Sequence, residues 1–108
     1  MYQDALKAYK LIIVLTREFP RGYQHLVEQL RRAALSVILN IAEGSAKNSD
    51  KDFNRYIGNS LGSVNEVVAG LEVAFQLNLT SEALFKEALT VYTNITNQLG
   101  GFSKKLKS

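Results

Sequence analysis

The chain has 108 residues, 46% of them hydrophobic, with one proline, no cysteine and a formal net charge of +3. That length suits one domain with a real apolar core, and the missing thiols exclude both a disulfide framework and a thiolate metal site. No apolar run approaches the ~18 residues of a membrane span, and no signal pattern opens the chain, so a non-secreted, cytoplasmic protein with no membrane partner is expected.

The first helix is predicted over about 3–18. Leu6, Tyr9, Ile13 and Thr16 follow helical spacing, while Leu11, Ile12, Val14 and Leu15 fill its other sides. A helix apolar nearly all round is expected to be buried nearly all round. Phe19-Pro20 ends it, because proline disfavours helix at the preceding residue.

The second helix is predicted over about 23–43, with a stripe of Leu26, Leu30, Ala34, Val37 and Ile41. Leu35 and Leu39 lie on the opposite side beside Glu28, Arg31 and Arg32. A lone bundle would leave those two leucines wet. Either they are ordinary exposed leucines, or they belong to a subunit interface.

The stretch Asn40 to Asp52 is a helix–loop–helix corner. Ser49 and Asp52 have the spacing of a capping box, so the Ser49 hydroxyl is expected to accept from the Asp52 amide. Gly44 suits the left-handed position just past a helix end. Glu43 opposes the helix dipole there and calls for an offset, from Arg55, Lys51 or the free amides of the next helix. Asn40 is expected to tie the corner to neighbouring backbone.

The third helix is predicted over about 50–77, with a stripe of Phe53, Ile57, Leu61, Val64, Val68, Leu71 and Phe75. Gly58, Gly62 and Gly70 sit inside it, each costing about 1 kcal/mol relative to alanine. Gly58 and Gly62, next to Asn65 and Ala69, form a small-residue groove that another helix backbone could approach; a weak or kinked helix is the other reading.

The fourth helix is predicted over about 81–104, with Thr80 or Ser81 as N-cap. Phe85, Ala88, Tyr92, Ile95, Leu99, Phe102 and Leu106 alternate steps of three and four, the seam of coiled-coil-like packing. Gly100-Gly101 interrupts helix propensity, so fraying is expected at the end. No strand pattern competes. The fold class is therefore all-α, an antiparallel up-down-up-down four-helix bundle. A first helix of roughly 24 Å cannot cover a third of roughly 42 Å, a mismatch that points to self-association.

Four segments appear in order: Gln29-Leu30-Arg31-Arg32-Ala33-Ala34, Asn40-Ile41-Ala42-Glu43-Gly44, Ser49-x-Lys51-Asp52-Phe53 and Gly62-Ser63-x-x-Glu66. Together they resemble the bacterial four-helix-bundle family of 23S rRNA intervening-sequence proteins, and the accessory subunit of diversity-generating retroelements looks like a relative. The resemblance spans nearly the whole chain. It implies a ring-like homo-oligomer, a pentamer, in some members basic enough to hold nucleic acid. Through the retroelement relative it also brings in another protein, such as a reverse transcriptase, as a partner. It implies no settled biochemical activity.

Reactive groups are sparse. His25 is the single histidine, and no Glu-x-x-His pair, phosphate loop, nucleophile elbow or zinc motif occurs. Arg21 precedes His25 with three residues between, which departs from the spacing used by small helical RNases that carry an arginine before a histidine, and no second acid or base lies nearby. No catalytic residue, cofactor or metal is therefore assigned, and a non-enzyme is expected. In the expected bundle Lys7, Lys10, Lys47, Lys51, Lys104, Lys105 and Lys107 fall toward one end, with Arg31 and Arg32 mid-helix. Two readings stay open: a solvated charged end, or a sequence-indifferent, salt-sensitive contact with RNA or DNA multiplied around an oligomer. No aromatic is interleaved with the lysines to stack on bases. The expected function is an oligomeric scaffold or accessory interaction protein, the alternative a nucleic-acid-binding module acting through its basic end.

Overall fold

The computed structural model describes residues 1–107. They form four helices and, among the described residues, no strand: α1 (Tyr2–Arg17), α2 (Gln24–Ser45), α3 (Asp50–Gln76) and α4 (Glu82–Lys107). The molecule is a rod of 45 × 21 × 19 Å. α2 packs most heavily on α3, α3 on α4, and α1 on α2 and α4. These contacts are compatible with a bundle in which each helix touches two neighbours.

The core draws on all four helices, with Ile12, Leu15, Leu30, Val37, Ile41, Ile57, Val64, Leu71, Tyr92, Ile95 and Leu99 fully enclosed. Two expectations shift. In α1 the buried residues are Ala5, Ala8, Ile12, Leu15 and Thr16, whereas Leu6, Tyr9 and Ile13 are half-buried. Nor is the helix buried all round: Val14 is largely exposed, because only α2 and α4 cover α1. In α3 and α4 the aromatics Phe53, Phe75, Phe85 and Phe102 are half-buried, Phe53, Phe85 and Phe102 packing against the core from its edge, and small residues such as Ser60, Val67, Ala74 and Ala88 are buried beside Ile57, Leu71 and Tyr92.

Local chemistry sets the helix ends. Ser49 is the N-cap of α3, its hydroxyl accepting from the Asp52 amide at 3.1 Å. Ser81 does the same for α4, accepting from the Leu84 amide at 3.1 Å. At the end of α3, Asn78 takes φ +60°, a left-handed position that asparagine tolerates better than most residues. The Asn78 amide then donates to Phe75 O at 3.0 Å and the Leu79 amide to Ala74 O at 2.9 Å, a Schellman closure that satisfies the last carbonyls. α4 runs through Gly100-Gly101 to Lys107 without interruption, because Phe102 and Leu106 still find apolar partners on the core.

Gly44 does not occupy a left-handed cap. It lies inside α2, which ends at Ser45 with Ala46 in right-handed geometry (φ −88°). What requires glycine is proximity: a Cβ there would meet Tyr56 Cβ at 2.7 Å and Phe53 Cδ1 at 2.9 Å.

Candidate interaction surfaces

Most residues that carry the sequence signature turn out to join helices. Along the α2–α3 seam, Gly70 faces Leu30, whose Cδ2 would lie 2.6 Å from an added Cβ. Next come Gln29 donating to Glu66 (3.4 Å), the Ser36–Ser63 hydroxyl pair (2.7 Å) and the buried Ser60 donating to Val37 O (3.0 Å). Gly44 closes the seam against Phe53 and Tyr56. Small and hydroxylated residues let two backbones approach closely while keeping each buried polar atom paired. The sequence carried no apolar signal for the serines and glycines of this seam, since these residue types read as surface or breaker residues.

Asn40 donates to Ser36 O at 2.9 Å and to Ser36 Oγ at 3.1 Å, so the backbone group it bonds lies one turn back on its own helix. Glu43 pairs with Lys47 one turn on, at 3.9 Å, and not with Arg55 or Lys51. Arg55 instead lies over the Tyr56 ring, 4.8 Å from its centroid, and Lys47 approaches the same ring at 5.2 Å. Arg31 is committed inward: its Nε donates to Thr16 Oγ1 at 2.9 Å, and Thr16 in turn donates to Ile12 O at 2.7 Å. A buried threonine thereby ties α1 to α2.

Three features face solvent. The first is a ridge on α2: Leu35 is 40% and Leu39 56% exposed, with the exposed Arg32 one turn before Leu35. The second is the outer stripe of α3. A Cβ on Gly58 or Gly62 would meet nothing within 4 Å, so these glycines are open and untouched by the chain's other helices. Further along, this stripe reaches an apolar groove of about 710 Å³ lined by Ala69, Glu72, Val73, Phe75, Gln76, Leu77 and Phe85. Val73 and Leu77 are each 48% exposed there, and the Phe75 and Phe85 rings stack with centroids 4.4 Å apart. The groove was not foreseen, because Phe75 and Phe85 were assigned to core stripes and Val73 to none.

The third feature is the end formed by the start of α3 and the finish of α4. Phe53 and Phe102 meet there (5.0 Å), as do Ser103 and Asn54. Lys47, Lys51, Lys104 and Lys107 are exposed around them. Lys105 is exposed as well but interacts with a neighbouring group. Asp50 and Asp52 share this end, on the first turn of α3.

Among the described residues no group of three or more histidine, cysteine, aspartate or glutamate side chains could hold a metal ion. Among the described residues no helix is long and apolar enough to cross a membrane. Compared with known proteins, the chain has no match among curated ones. The family model for 23S rRNA-intervening sequence protein matches residues 1–101, nearly the whole chain, and the chain belongs to that family.

Proposed function

We propose that this protein is a non-enzymatic helical bundle that works as a homo-oligomeric scaffold, an accessory that presents its surfaces to a partner. The observation that carries this reading is the α2 ridge: Leu35 and Leu39 stand one turn apart and solvent-facing, on a helix whose other side is fully used by the core. Fully burying a leucine is worth roughly 1.5–3 kcal/mol, and at 40% and 56% exposure about half of that, roughly 1 kcal/mol each, is still to be gained when a second surface covers them. The ring of five is what the family resemblance implies.

The proposed topology is up-down-up-down. Supporting it, Gln29 meets Glu66 while Val37 meets Ser60, so numbering rises along α2 as it falls along α3. Likewise Phe53 meets Phe102 while Phe75 meets Phe85, and Asp4 near the start of α1 accepts from Gln98 late in α4.

One observation favours a second role within the same assembly. In that topology eight of the thirteen basic residues, but four of the ten acidic ones, fall toward the Phe53–Phe102 end. Repeated around an oligomer, this end would contact RNA or DNA phosphates without reading sequence.

Light scattering coupled to sizing chromatography tests the principal reading. The expected mass is an integer multiple of 12.0 kDa that persists on dilution into the low micromolar range; a 12.0 kDa species throughout would refute it. Filter binding of labelled RNA and duplex DNA at low and moderate salt tests the second. Retention that collapses with salt supports it, and no retention at low salt removes it.

A further inference from the structure

We infer that the α2 ridge of one copy seats in the α3–α4 groove of the next, a head-to-tail contact between unlike faces. The inference rests on the self-association proposed above and names the surfaces that perform it.

Three observations converge. Every large exposed hydrophobic on α2 belongs to the ridge (Leu35, Leu39), and those on α3 and at its C-cap belong to the groove (Val73, Leu77). One face is convex and the other concave, at about 710 Å³. Charge agrees with shape. Glu72 is the one charged residue lining the groove, and Arg32 extends the ridge by one turn on the same face. Neither has an ion-pair partner among the described residues. Lengths match as well: Arg32 to Leu39 spans about 10 Å and Ala69 to Leu77 about 12 Å at 1.5 Å per residue.

Both leucines would then lie against Ala69, Val73, Leu77 and the Phe75–Phe85 stack, with Arg32 reaching Glu72. Because ridge and groove are different patches, the contact is heterologous. An open chain of copies keeps one free ridge at one end and one free groove at the other, so it grows into a filament unless a ring closes. The open glycines Gly58 and Gly62 continue the groove along α3 and leave room for the flank of the incoming helix.

Two variants test this. Leu39→Glu spoils the ridge and leaves the groove; Val73→Glu spoils the groove and leaves the ridge. Both positions are exposed, so the helical circular-dichroism signal and cooperative unfolding should persist in each. Alone, each variant should run as a monomer by light scattering. Mixed in equal amounts, they should form a heterodimer and nothing larger, since one intact ridge still meets one intact groove. A wild-type oligomer with a mixture that stays monomeric would overturn the ridge-and-groove contact and leave self-association standing. So would either variant keeping the wild-type mass. A monomeric wild type would overturn both. Arg32→Glu should lower association several-fold, and adding Glu72→Arg in the same chain should restore it; no restoration would remove the ion pair from the contact.

Discussion

Gly44, Gly58, Gly62 and Gly70 place one residue type in three different settings, and the differences decide what alanine would do. At Gly44 the Cβ would sit 2.7 Å from a backbone-anchored Tyr56 Cβ. α2 and α3 would have to separate, so Gly44→Ala should lose about 1–3 kcal/mol. At Gly58 and Gly62 there is open space and ordinary helical backbone, so alanine should gain about 0.5–1 kcal/mol each through helix propensity. Urea titration of the three single variants checks both signs, read in the protomer or at matched oligomer concentration. Gly70 faces Leu30, itself enclosed in the core, so alanine there would force a leucine to repack. The sequence marked all four glycines as unusual. It did not separate them, because whether a glycine is crowded or free depends on which helix lies across from it.

Tyr92 is legible in the opposite way. The heptad seam placed it in the core, and its ring is enclosed. What the seam could not show is that its hydroxyl meets no hydrogen-bond partner among the described residues. A buried, unpaired hydroxyl costs about 1–3 kcal/mol. Tyr92→Phe should therefore leave stability unchanged or raise it by about 1 kcal/mol. Burial also pushes the phenol well above the ordinary tyrosine value. Below pH ~10 the folded and unfolded chains both keep this proton. Above it the unfolded chain releases the proton and the folded chain does not, so stability should fall as pH rises. Chemical denaturation between pH 8 and 11 should show a shallower alkaline loss in Tyr92→Phe. A variant that is less stable by more than about 1 kcal/mol, or an unchanged alkaline slope, would contradict the unpaired buried phenol.

At the level of elements, the polar signals in the sequence were more informative than the apolar ones. Ser49 with Asp52, and Thr80 or Ser81, announced the starts of α3 and α4, because an N-cap is a local interaction between residues three apart; for α4 it is Ser81 that accepts, from the Leu84 amide. The end of α2 was misjudged: Gly44 suggested a left-handed stop, whereas the helix runs on to Ser45 and the glycine serves a tertiary contact. The left-handed stop is Asn78 at the end of α3. Asn78→Val should cost about 1–2 kcal/mol, since a β-branched side chain resists that backbone region, while Asn78→Gly should cost little or stabilise. Thermal melts of the pair distinguish a backbone requirement from a side-chain one.

The tie between α1 and α2 was also invisible beforehand, because Arg31 read as a surface cation beside Arg32. Arg31→Ala leaves the buried Thr16 hydroxyl with its bond to Ile12 O but without its cross-helix donor. A loss of about 1–2 kcal/mol is expected, against near-neutrality for Arg32→Ala in the protomer. Glu43→Gln should now behave as a surface change, since its Lys47 partner is an exposed pair at 3.9 Å.

For the whole molecule, the short α1 and the long α3 that the sequence indicated are present at 16 and 27 residues. Four of the six large exposed hydrophobics lie on a ridge and a groove on different helices, and the other two, Tyr2 and Val14, are on α1. The ridge was readable, since Leu35 and Leu39 fell off the main stripe of α2. The groove was not, since it requires Phe75 and Phe85 to stack at the rim of the core rather than inside it. The central claim is that these two faces are covered in solution by further copies of the chain. Hydroxyl-radical footprinting read by mass spectrometry tests it residue by residue in the unmodified protein. Val14, 48% exposed on α1 and outside both faces, serves as the internal reference. At working concentration Leu35, Leu39, Val73 and Leu77 should oxidise several-fold more slowly than their exposure in the single chain allows, while Val14 reacts at its full rate. If Leu39, at 56% exposure the most accessible of them, reacts as a free leucine at every concentration, the faces are bare and the account is contradicted.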